Sequence, residues 1–244
     1  MNKTPIITIV TVCLNNKDML KKTVCSVKAQ DYPHIDYLVI DGASTDGTRD
    51  FLSNERILRW ISEPDSGIYN AMNKGIRMAK GDWVIFMNAG DTFVTSDTIS
   101  KIFSQGQEAD VIYGDVVKDN LIKKAEPPHN GHRMYFCHQS VFVKTICLRE
   151  FPFDESHRMS ADFKQMKQLY LAGKTFLQLD FPIAVFDTSG ISNTHRAKGL
   201  HDNIQVIRET DNWQEQLRLL PRLMFTYWIC KLAEHKIHSL FYII

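Results

Sequence analysis

Short, continuous runs of apolar and β-branched residues alternate along the first half of the chain with segments in which apolar residues recur every three or four positions. A continuous apolar run of this length is typical of a strand that is covered on both faces of a sheet. On this pattern we predict strands at Ile6–Cys13, Tyr37–Ile40, Ile57–Ile61, Trp83–Met87 and Val111–Tyr113.

The clearest helical pattern lies at Ser66–Lys80. Apolar residues recur there from Ile68 to Ala79 at intervals of three or four, and Gly81 follows as a stop signal. Strands that alternate with helices indicate the α/β class, with a mostly parallel sheet flanked by helices. We predict further helices at Thr45–Leu52 and after the capping residues Asn16, Ser96 and Ser160.

The second half of the chain is less regular. Strand patterns return beyond the helix that follows Ser160, and the pattern is helical from Leu200 onward. We therefore expect a domain at residues 1–195, with halves at about 1–115 and 116–195, and a helical extension at 196–244. The predicted elements are a hairpin at Val116–Lys124 that turns at Asp119-Asn120, and strands at Thr175–Leu179 and Ile183–Phe186.

The C-terminal segment Trp213–Ile244 is rich in Leu, Trp, Tyr and Phe, with interspersed Arg and Lys, and Pro221 is expected to interrupt it. Basic amphipathic helices of this composition lie well at a membrane surface. The alternative is a helix that packs on its own domain or on a partner subunit.

Composition narrows the class of protein. The 244 residues carry 29 Lys and Arg against 28 Asp and Glu, so the net charge is +1 and no nucleic-acid partner is expected. The five cysteines are odd in number and lack Cys-x-x-Cys spacing, which favours reduced thiols and a cytoplasmic location. No run of about 18 uncharged apolar residues is present, so no membrane-spanning helix is expected.

Polar residues gather where the predicted strands end. Asn15 follows the first strand, Asp41 the second, Asn88–Asp91 the strand after the clearest helix, and Asp115 the next. In an open parallel sheet the carboxyl ends of the strands form the ligand-binding edge. We therefore expect these side chains to share one crevice.

A set of ordered segments carries a resemblance to a known family: Ile7–Asn16, Val39–Thr48, Ser62–Gly75, Gly81–Asp91, Phe136–Phe142 and Ser160–Phe163. In this order they resemble the family 2 glycosyltransferases with the GT-A fold, a Rossmann-like sheet. The resemblance implies an inverting, hexosyltransferase-type enzyme (EC 2.4) of bacterial cell-surface polysaccharide synthesis. Such an enzyme moves a sugar from a nucleotide-diphospho-sugar, with a UDP-sugar favoured, to a hydroxyl of a glycan or lipid-linked acceptor.

Asp91 matches the family's metal-binding aspartate, which implies Mg²⁺ or Mn²⁺ as a cofactor. A divalent cation held by carboxylates stabilises the negative charge that develops on a departing diphosphate. The acidic residue that usually precedes it in the family, and that touches the ribose, is Gly90 here, with Asn88 as a further polar group. A late histidine, His195, matches the place of a third metal ligand in some GT-A enzymes.

The resemblance also implies a nucleotide pocket and a base. The pocket is expected to be lined by Thr11, Asn15, Asp41, Asp65 and Asn73. Inversion requires a single displacement by an acceptor hydroxyl, so a carboxylate must take its proton. Asp162 matches the family's base, and Glu155 and Asp154 are next in line.

Two alternatives to transfer stay open. A sugar nucleotidyltransferase has a similar sheet but carries a glycine-rich, basic loop after its first strand, and Val12–Lys17 contains no glycine. A protein that binds sugar nucleotides without transferring them is kept open by Gly90, because one carboxylate of the usual pair is missing there.

Overall fold

The computed structural model describes residues 4–56, 59–104, 108–188 and 196–241. In this part of the chain the strands are β1 (Ile7–Cys13), β2 (Ile35–Asp41), β3 (Arg59–Ser62), β4 (Trp83–Phe86), β5 (Thr92–Phe93), β6 (Val111–Lys118), β7 (Leu121–Lys123), β8 (Val141–Lys144) and β9 (Phe176–Val185). The helices are α1 (Lys17–Lys28), α2 (Thr48–Ser53), α3 (Ile68–Met78), α4 (Thr98–Phe103), α5 (Thr145–Glu150), α6 (Ala161–Leu171), α7 (Arg196–Thr210) and α8 (Trp213–Phe241).

The strands form one sheet in the order β3-β2-β1-β4-β8-β6-β9-β5, and β7 pairs with β6. β3, β2, β1 and β4 are parallel neighbours, as are β6 and β9. The antiparallel ladders of β8, β5 and β7 are shorter. The predicted α/β class with a mostly parallel sheet flanked by helices is therefore confirmed.

Helices cover both faces of this sheet because alternate side chains of the central strands point to opposite sides. In β1, Val10 and Val12 pack with residues of α3, α5 and α6. Ile7 and Ile9 lie on the other face and pack with residues of α1 and α4. Burial on both faces explains why the strand sequences are continuously apolar.

Helix α3 lies very close to β1 because of one glycine. A Cβ atom at Gly75 would lie 2.5 Å from Cγ1 of Val10, so no larger residue fits without a shift. The helix is shorter than the predicted Ser66–Lys80, since Gly67 at φ 150° precedes it and Ala79 leaves the helical conformation. Because α3 follows β3, whose last residue Ser62 pairs with Asp41, the first turn of α3 lies near the carboxyl end of the sheet.

Several local predictions were wrong because distant partners replaced local ones. The Asn16 side chain makes no capping hydrogen bond. The Asp46 carboxylate instead accepts from the backbone N–H of Lys17 at 2.9 Å. Helix α2 begins only at Thr48, after Gly47 in the left-handed region at φ 86°.

The two strands predicted around residues 175–186 are one strand, β9, which crosses Pro182. The register of the β6–β9 ladder shifts between Tyr113 and Val116, and this bulge lets a proline without an N–H stay in the sheet. The predicted hairpin is confirmed, with Asp119 and Asn120 at φ 51° and 60° in its turn.

The C-terminal helices pack on α6. Leu219 and Leu223 of α8 are buried with Phe163, Val206 and Ile207. The predicted interruption at Pro221 was wrong, because α8 runs through it. Pro221 is exposed, so its ring does not disturb this packing. Within the described residues, no helix is both long and apolar enough to cross a lipid bilayer.

Candidate active site at the carboxyl ends of the strands

The polar loops that follow β1, β2 and β4 lie side by side. Cys13 and Asp41, the last residues of β1 and β2, are paired in register. The backbone N–H of Ala89, beyond the end of β4, donates to the carbonyl of Val12 at 3.3 Å. The sheet register therefore brings the loops of Asn15, Asp41 and Asp91 to one edge.

Asp41 is fully buried and holds this edge together. Its Oδ2 accepts from the Ser62 hydroxyl at 2.5 Å and from the backbone N–H of Ser44 at 3.1 Å. Its Oδ1 is buried without a hydrogen-bond partner among the described residues. A buried carboxylate oxygen without a donor is costly, and a ligand N–H or hydroxyl would satisfy it.

Two other predicted pocket residues organise the same edge. Asn15 has φ 49°, and its Oδ1 accepts from the backbone N–H of Thr45 at 2.8 Å, which ties the β1 loop to the β2 loop. Asp65 accepts from Lys74 Nζ at 2.5 Å. Its Oδ2 lies 3.1 Å from the position that a Cβ of Gly42 would occupy.

The side chains of Thr11 and Asn73 are bonded to other parts of the protein and support the surrounding loops. The Thr11 hydroxyl is fully buried, donates to the Met87 carbonyl at 2.7 Å and lies 3.1 Å from the Tyr37 hydroxyl. The Asn73 amide bonds both the N–H and the carbonyl of Phe153, at 3.0 and 2.8 Å, and Oε1 of Glu155 at 2.9 Å. Both side chains therefore shape the loops around the crevice.

The loop that carries Asn88, Gly90 and Asp91 is held by one hydroxyl of α1. Thr23 Oγ1 donates to the carbonyls of Asn88 and Asp91, at 3.1 and 2.8 Å, and accepts from the N–H of Gly90 at 2.9 Å. Gly90 has φ 108°, a conformation that glycine adopts without strain. The Asp91 carboxylate is thereby held in a fixed place.

Asp91 is almost fully buried, with 2% of its surface exposed. Its Oδ1 accepts from the backbone N–H of Asp187 at 2.8 Å. The pKa of Asp91 is raised to about 7, mainly by burial and also by the nearby Asp187 carboxylate, against the lowering effects of that N–H and of Lys22. A carboxylate so placed is stabilised by a neighbouring cation.

The oxygen atoms around Asp91 fit a hard divalent cation. Oδ1 of Asn88 is buried and has no hydrogen-bond partner among the described residues. Amide and carboxylate oxygens are the ligands that Mg²⁺ and Mn²⁺ prefer. If the cation is present, Asp91 and Asn88 are the residues of this loop that would hold it.

Asp162 lies in the first turn of α6 and points back toward α3. Its Oδ1 accepts from the Tyr69 hydroxyl at 3.0 Å and from the backbone N–H of Phe163 at 2.8 Å. Its Oδ2 has no donor within the described part of the chain. One oxygen is thus fixed, and the other is available to accept a proton.

Aromatic rings form the floor between the loops. His138 stacks on Phe86 with centroids 5.4 Å apart, and Phe153 contacts both rings. Burial lowers the pKa of His138, against the opposing effect of Asp162. Burial raises the pKa of the adjacent Cys137 thiol, and Asp91 and Asp162 are close enough to raise it further.

The alternative bases are already engaged. Glu155 accepts from Asn73, Asn70 and Ser66, and the hydrogen bonds of the two asparagines lower its pKa. Asp154 accepts from Lys164 Nζ at 2.5 Å and from Ser156. The geometry therefore favours Asp162 over both.

Asp154, His157 and Glu209 form a second group of metal-ligand type, but an internal cation lies among them. Lys164 Nζ is 2.5 Å from Asp154 and Glu209 and 3.3 Å from Nε2 of His157. A metal ion there would repel the ammonium. This cluster therefore ties α7 to α6 and is distinct from the site around Asp91.

A cavity of about 490 Å³ lies at the opposite edge of the sheet, at the amino end of β4 and lined by Asp82, Lys144 and Arg149 among others. It contains none of the predicted site residues. Ligands of open parallel sheets bind at the carboxyl ends, so we do not assign the site to this cavity. His195 lies outside the described residues.

The sequence prediction missed three residues that shape the site: Thr23, Tyr69 and Asp187. Thr23 carries a faint signal, because a buried hydroxyl on the apolar face of α1 needs a partner. Tyr69 and Asp187 carry none, since their partners lie 93 and 96 positions away along the chain.

A family model, curated proteins and solved structures resemble this chain. The family model for Glycosyl transferase family 2 matches residues 8–170. The uncharacterized glycosyltransferase MT1564 of Mycobacterium tuberculosis is 39% identical over 104 residues, which cover 41% of this chain and 40% of that protein. A PGL/p-HBAD biosynthesis glycosyltransferase of Mycobacterium bovis is 27% identical over 173 residues, covering 65% of this chain and 67% of that protein.

Two solved structures share the fold. The mannosyltransferase PcManGT from Pyrobaculum calidifontis, in complex with GDP-Man and Mn²⁺, has a TM-score of 0.69 at 17% identity, covering 98% of this chain and 75% of its own. S. aureus TarS 1-349 in complex with UDP-GlcNAc has a TM-score of 0.66 at 16% identity, covering 85% of this chain and 68% of its own.

Proposed function

The chain belongs to glycosyl transferase family 2, and on that premise we propose that it transfers a sugar from a nucleotide-diphospho-sugar to an acceptor hydroxyl, with inversion. One observation carries the proposal. Asp41 and Asp91 lie at one edge of the sheet, and Asp91 and Asp162 both act electrostatically on the Cys137 thiol. Donor binding, leaving-group stabilisation and proton removal are then supplied by three different carboxylates.

Asp41 is the proposed nucleotide-binding residue. Its unpartnered Oδ1 would accept a hydrogen bond from a base N–H or a ribose hydroxyl. Asn15 and Asp65 hold the loops on either side of it. A UDP-sugar is the preferred donor of the proposal, and S. aureus TarS, which shares the fold, was solved with UDP-GlcNAc.

Asp91 is the proposed ligand of a Mg²⁺ or Mn²⁺ ion. When bound, the cation supplies positive charge next to the diphosphate as its negative charge develops. Asp91 and Asn88 would supply oxygen ligands to it, and Thr23 fixes their loop. PcManGT, which shares the fold, was solved with GDP-Man and Mn²⁺.

Asp162 is the proposed base of a single displacement. The acceptor oxygen forms a bond to the anomeric carbon while the bond from that carbon to the diphosphate oxygen breaks. The acceptor proton passes to Oδ2 of Asp162, and the nucleoside diphosphate leaves with the electron pair. Attack on the face opposite the leaving group inverts the anomeric centre.

The proposed context is surface polysaccharide or glycolipid synthesis at the cytoplasmic face of the membrane. The Mycobacterium bovis relative is a PGL/p-HBAD biosynthesis glycosyltransferase. A glycan or lipid-linked molecule is the proposed acceptor.

A donor assay tests the function against its alternatives. We expect nucleoside diphosphate release from one of the UDP-, GDP- or dTDP-sugars, dependent on Mn²⁺ or Mg²⁺ and faster with a glycan acceptor. Tight binding without release under all conditions would favour a binding protein. Synthesis of a sugar nucleotide from a nucleoside triphosphate and a sugar phosphate would favour a nucleotidyltransferase.

Asp41→Ala is expected to raise the donor KM by roughly 10–100-fold. This range corresponds to the loss of a hydrogen bond to a charged group, which contributes about 1.5–3 kcal/mol. The acceptor KM should change much less, and steady-state kinetics with each substrate varied in turn measures both. Asp50→Ala, an exposed acid on the neighbouring helix α2, is the matched control. An unchanged donor KM would remove Asp41 from the pocket.

We propose further that α8 lies on an anionic membrane surface. Leu219 and Leu223 are buried on α6 and α7, whereas large apolar side chains on the opposite side are exposed. The exposed residues recur at helical spacing and are Leu217, Met224, Phe225, Trp228, Ile229 and Leu232. Arg222 is exposed beside them, and such a basic, aromatic helix face suits an anionic lipid surface.

Phe225→Glu combined with Trp228→Glu is expected to weaken binding to vesicles with anionic lipid by at least about 100-fold. Each buried aromatic side chain contributes about 1.5–3 kcal/mol, and added acids repel the surface. Vesicle co-sedimentation measures the effect, and Ile146→Glu, an equally exposed apolar residue on α5, is the control. Absence of binding by the unaltered protein at low salt would contradict the proposal.

A further inference from the structure

We infer that Asp187 provides the second carboxylate of the cation site, in place of the acid that the sequence lacks at position 90. This inference rests on the proposed function, since it assumes that Asp91 binds a cation. Asp187 follows the end of β9 and lies outside the residues 8–170 that the family model matches.

The first observation is the space around Gly90. A Cβ atom at this position would lie 2.7 Å from Oδ2 of Asp187 and 3.0 Å from its Cγ. No side chain at position 90 fits beside Asp187 as it stands. The volume that a side chain of residue 90 would enter is therefore taken by the Asp187 carboxylate, and the acid comes from a different strand.

The second observation is the backbone connection between the two loops. The N–H of Asp187 donates to Oδ1 of Asp91 at 2.8 Å. β5 and β9 pair in the adjacent residues, with Thr92 opposite Val185. The sheet itself therefore determines where Asp187 lies, and its carboxylate is held next to that of Asp91 by main-chain contacts.

At the proposed nucleotide-binding end of the site, an aspartate from a distant segment likewise lies against a glycine. Gly42 follows Asp41 there, and Oδ2 of Asp65 lies 3.1 Å from the position of a Gly42 Cβ. Both glycines thus leave room for an aspartate from a distant segment.

The chemistry of the cation explains why a second carboxylate is useful. Mg²⁺ and Mn²⁺ are bound through one or two carboxylates, with phosphate oxygens and water completing the shell. Two carboxylates placed side by side repel each other, and a divalent ion between them removes that repulsion. Asp187 Oδ2 lies against Gly90, the residue before Asp91, and the buried Oδ1 of Asn88 in the same loop has no hydrogen-bond partner among the described residues.

The test measures Mn²⁺ binding by the full chain, with and without UDP. Electron paramagnetic resonance monitors the signal of the free Mn²⁺. Asp187→Asn is expected to raise the Mn²⁺ dissociation constant at least about 10-fold, in line with the loss of a metal-site group. The backbone N–H to Asp91 is retained in this variant, so a purely structural role predicts no change. Asp180→Asn, an exposed acid on the same strand, should bind Mn²⁺ like the unaltered protein.

A second variant covers the case in which Asp187→Asn does not fold. Asp187→Cys would place a thiolate at the site, and Cd²⁺ should then show a thiolate-to-metal absorption band that the unaltered protein lacks. Wild-type Mn²⁺ affinity in Asp187→Asn, or no new band in Asp187→Cys, would overturn the inference and leave Asp91 as the ligand. Failure of the unaltered protein to bind Mn²⁺ would overturn both the inference and the proposed cation.

Discussion

Replacing Asp162 by Asn is expected to lower the turnover of sugar transfer by about 10²–10⁴-fold while donor binding stays intact. The range is the contribution of a general base that takes the proton of an otherwise weak nucleophile. The substitution removes the ability to accept a proton and changes little else. Asparagine keeps an oxygen for the Tyr69 hydroxyl and the Phe163 N–H, which both bond Oδ1 of Asp162.

A structural role for Asp162 predicts a different result. An acid in the first turn of a helix stabilises it by about 0.3–1 kcal/mol through the helix dipole, and its loss would affect the thermal melt and not the rate. Single-turnover rates, melting temperature and calorimetric donor binding together separate the two. Glu155→Gln, next to the same crevice but already bonded to two asparagines, is the matched control. Transfer within tenfold of the unaltered rate would place the base elsewhere.

Asp91→Asn is expected to weaken Mn²⁺-dependent binding of UDP by at least about 100-fold. The effect should be larger than that of removing a residue that only supports a ligand, because Asp91 is proposed to bind the metal directly. The fold should be retained, since an amide oxygen can still accept from the N–H of Asp187. Removing the charge of the buried Asp91 also removes its repulsion with the partly buried Asp187, so the melting temperature should not fall.

Calorimetry with UDP, with and without Mn²⁺, measures this effect. Binding of UDP without the metal should be unchanged, because Asp41 and its loop are untouched. Asp97→Asn is the control, since Asp97 lies in the same connection between β4 and α4 and its carboxylate accepts from the Thr95 hydroxyl. Equal Mn²⁺ dependence in Asp91→Asn and the unaltered protein would exclude Asp91 as the ligand.

The order of elements and the place of the crevice were predictable from the sequence for a physical reason. Strands β1, β2 and β4 are buried on both faces, so their sequences are runs of mainly apolar residues. Helix α3 buries one stripe, so its apolar residues recur every three or four positions. Both patterns can be recognised within a short stretch of sequence. A parallel sheet has its ligand edge at the carboxyl ends of the strands, so Asp41 and Asp91 were expected to lie at one edge.

Details that depend on distant partners were not predictable. The start of α1 is bonded by Asp46 of another loop instead of by Asn16. β9 continues through Pro182 because a bulge in its pairing with β6 accommodates it. In each case the local residue preference was overruled by a contact that only the assembled sheet provides.

The sequence by itself determined the alternation of strands and helices, the polar loops at the strand ends and the family. The tertiary structure alone decided how the polar residues at this edge are bonded. It placed Thr11 and Asn73 in hydrogen bonds of the scaffold, set Tyr69 against Asp162, and brought Asp187 to Asp91 across 96 positions of chain. Hydrophobic periodicity is a property of neighbouring residues, whereas the position of a carboxylate depends on packing between segments that are far apart in sequence.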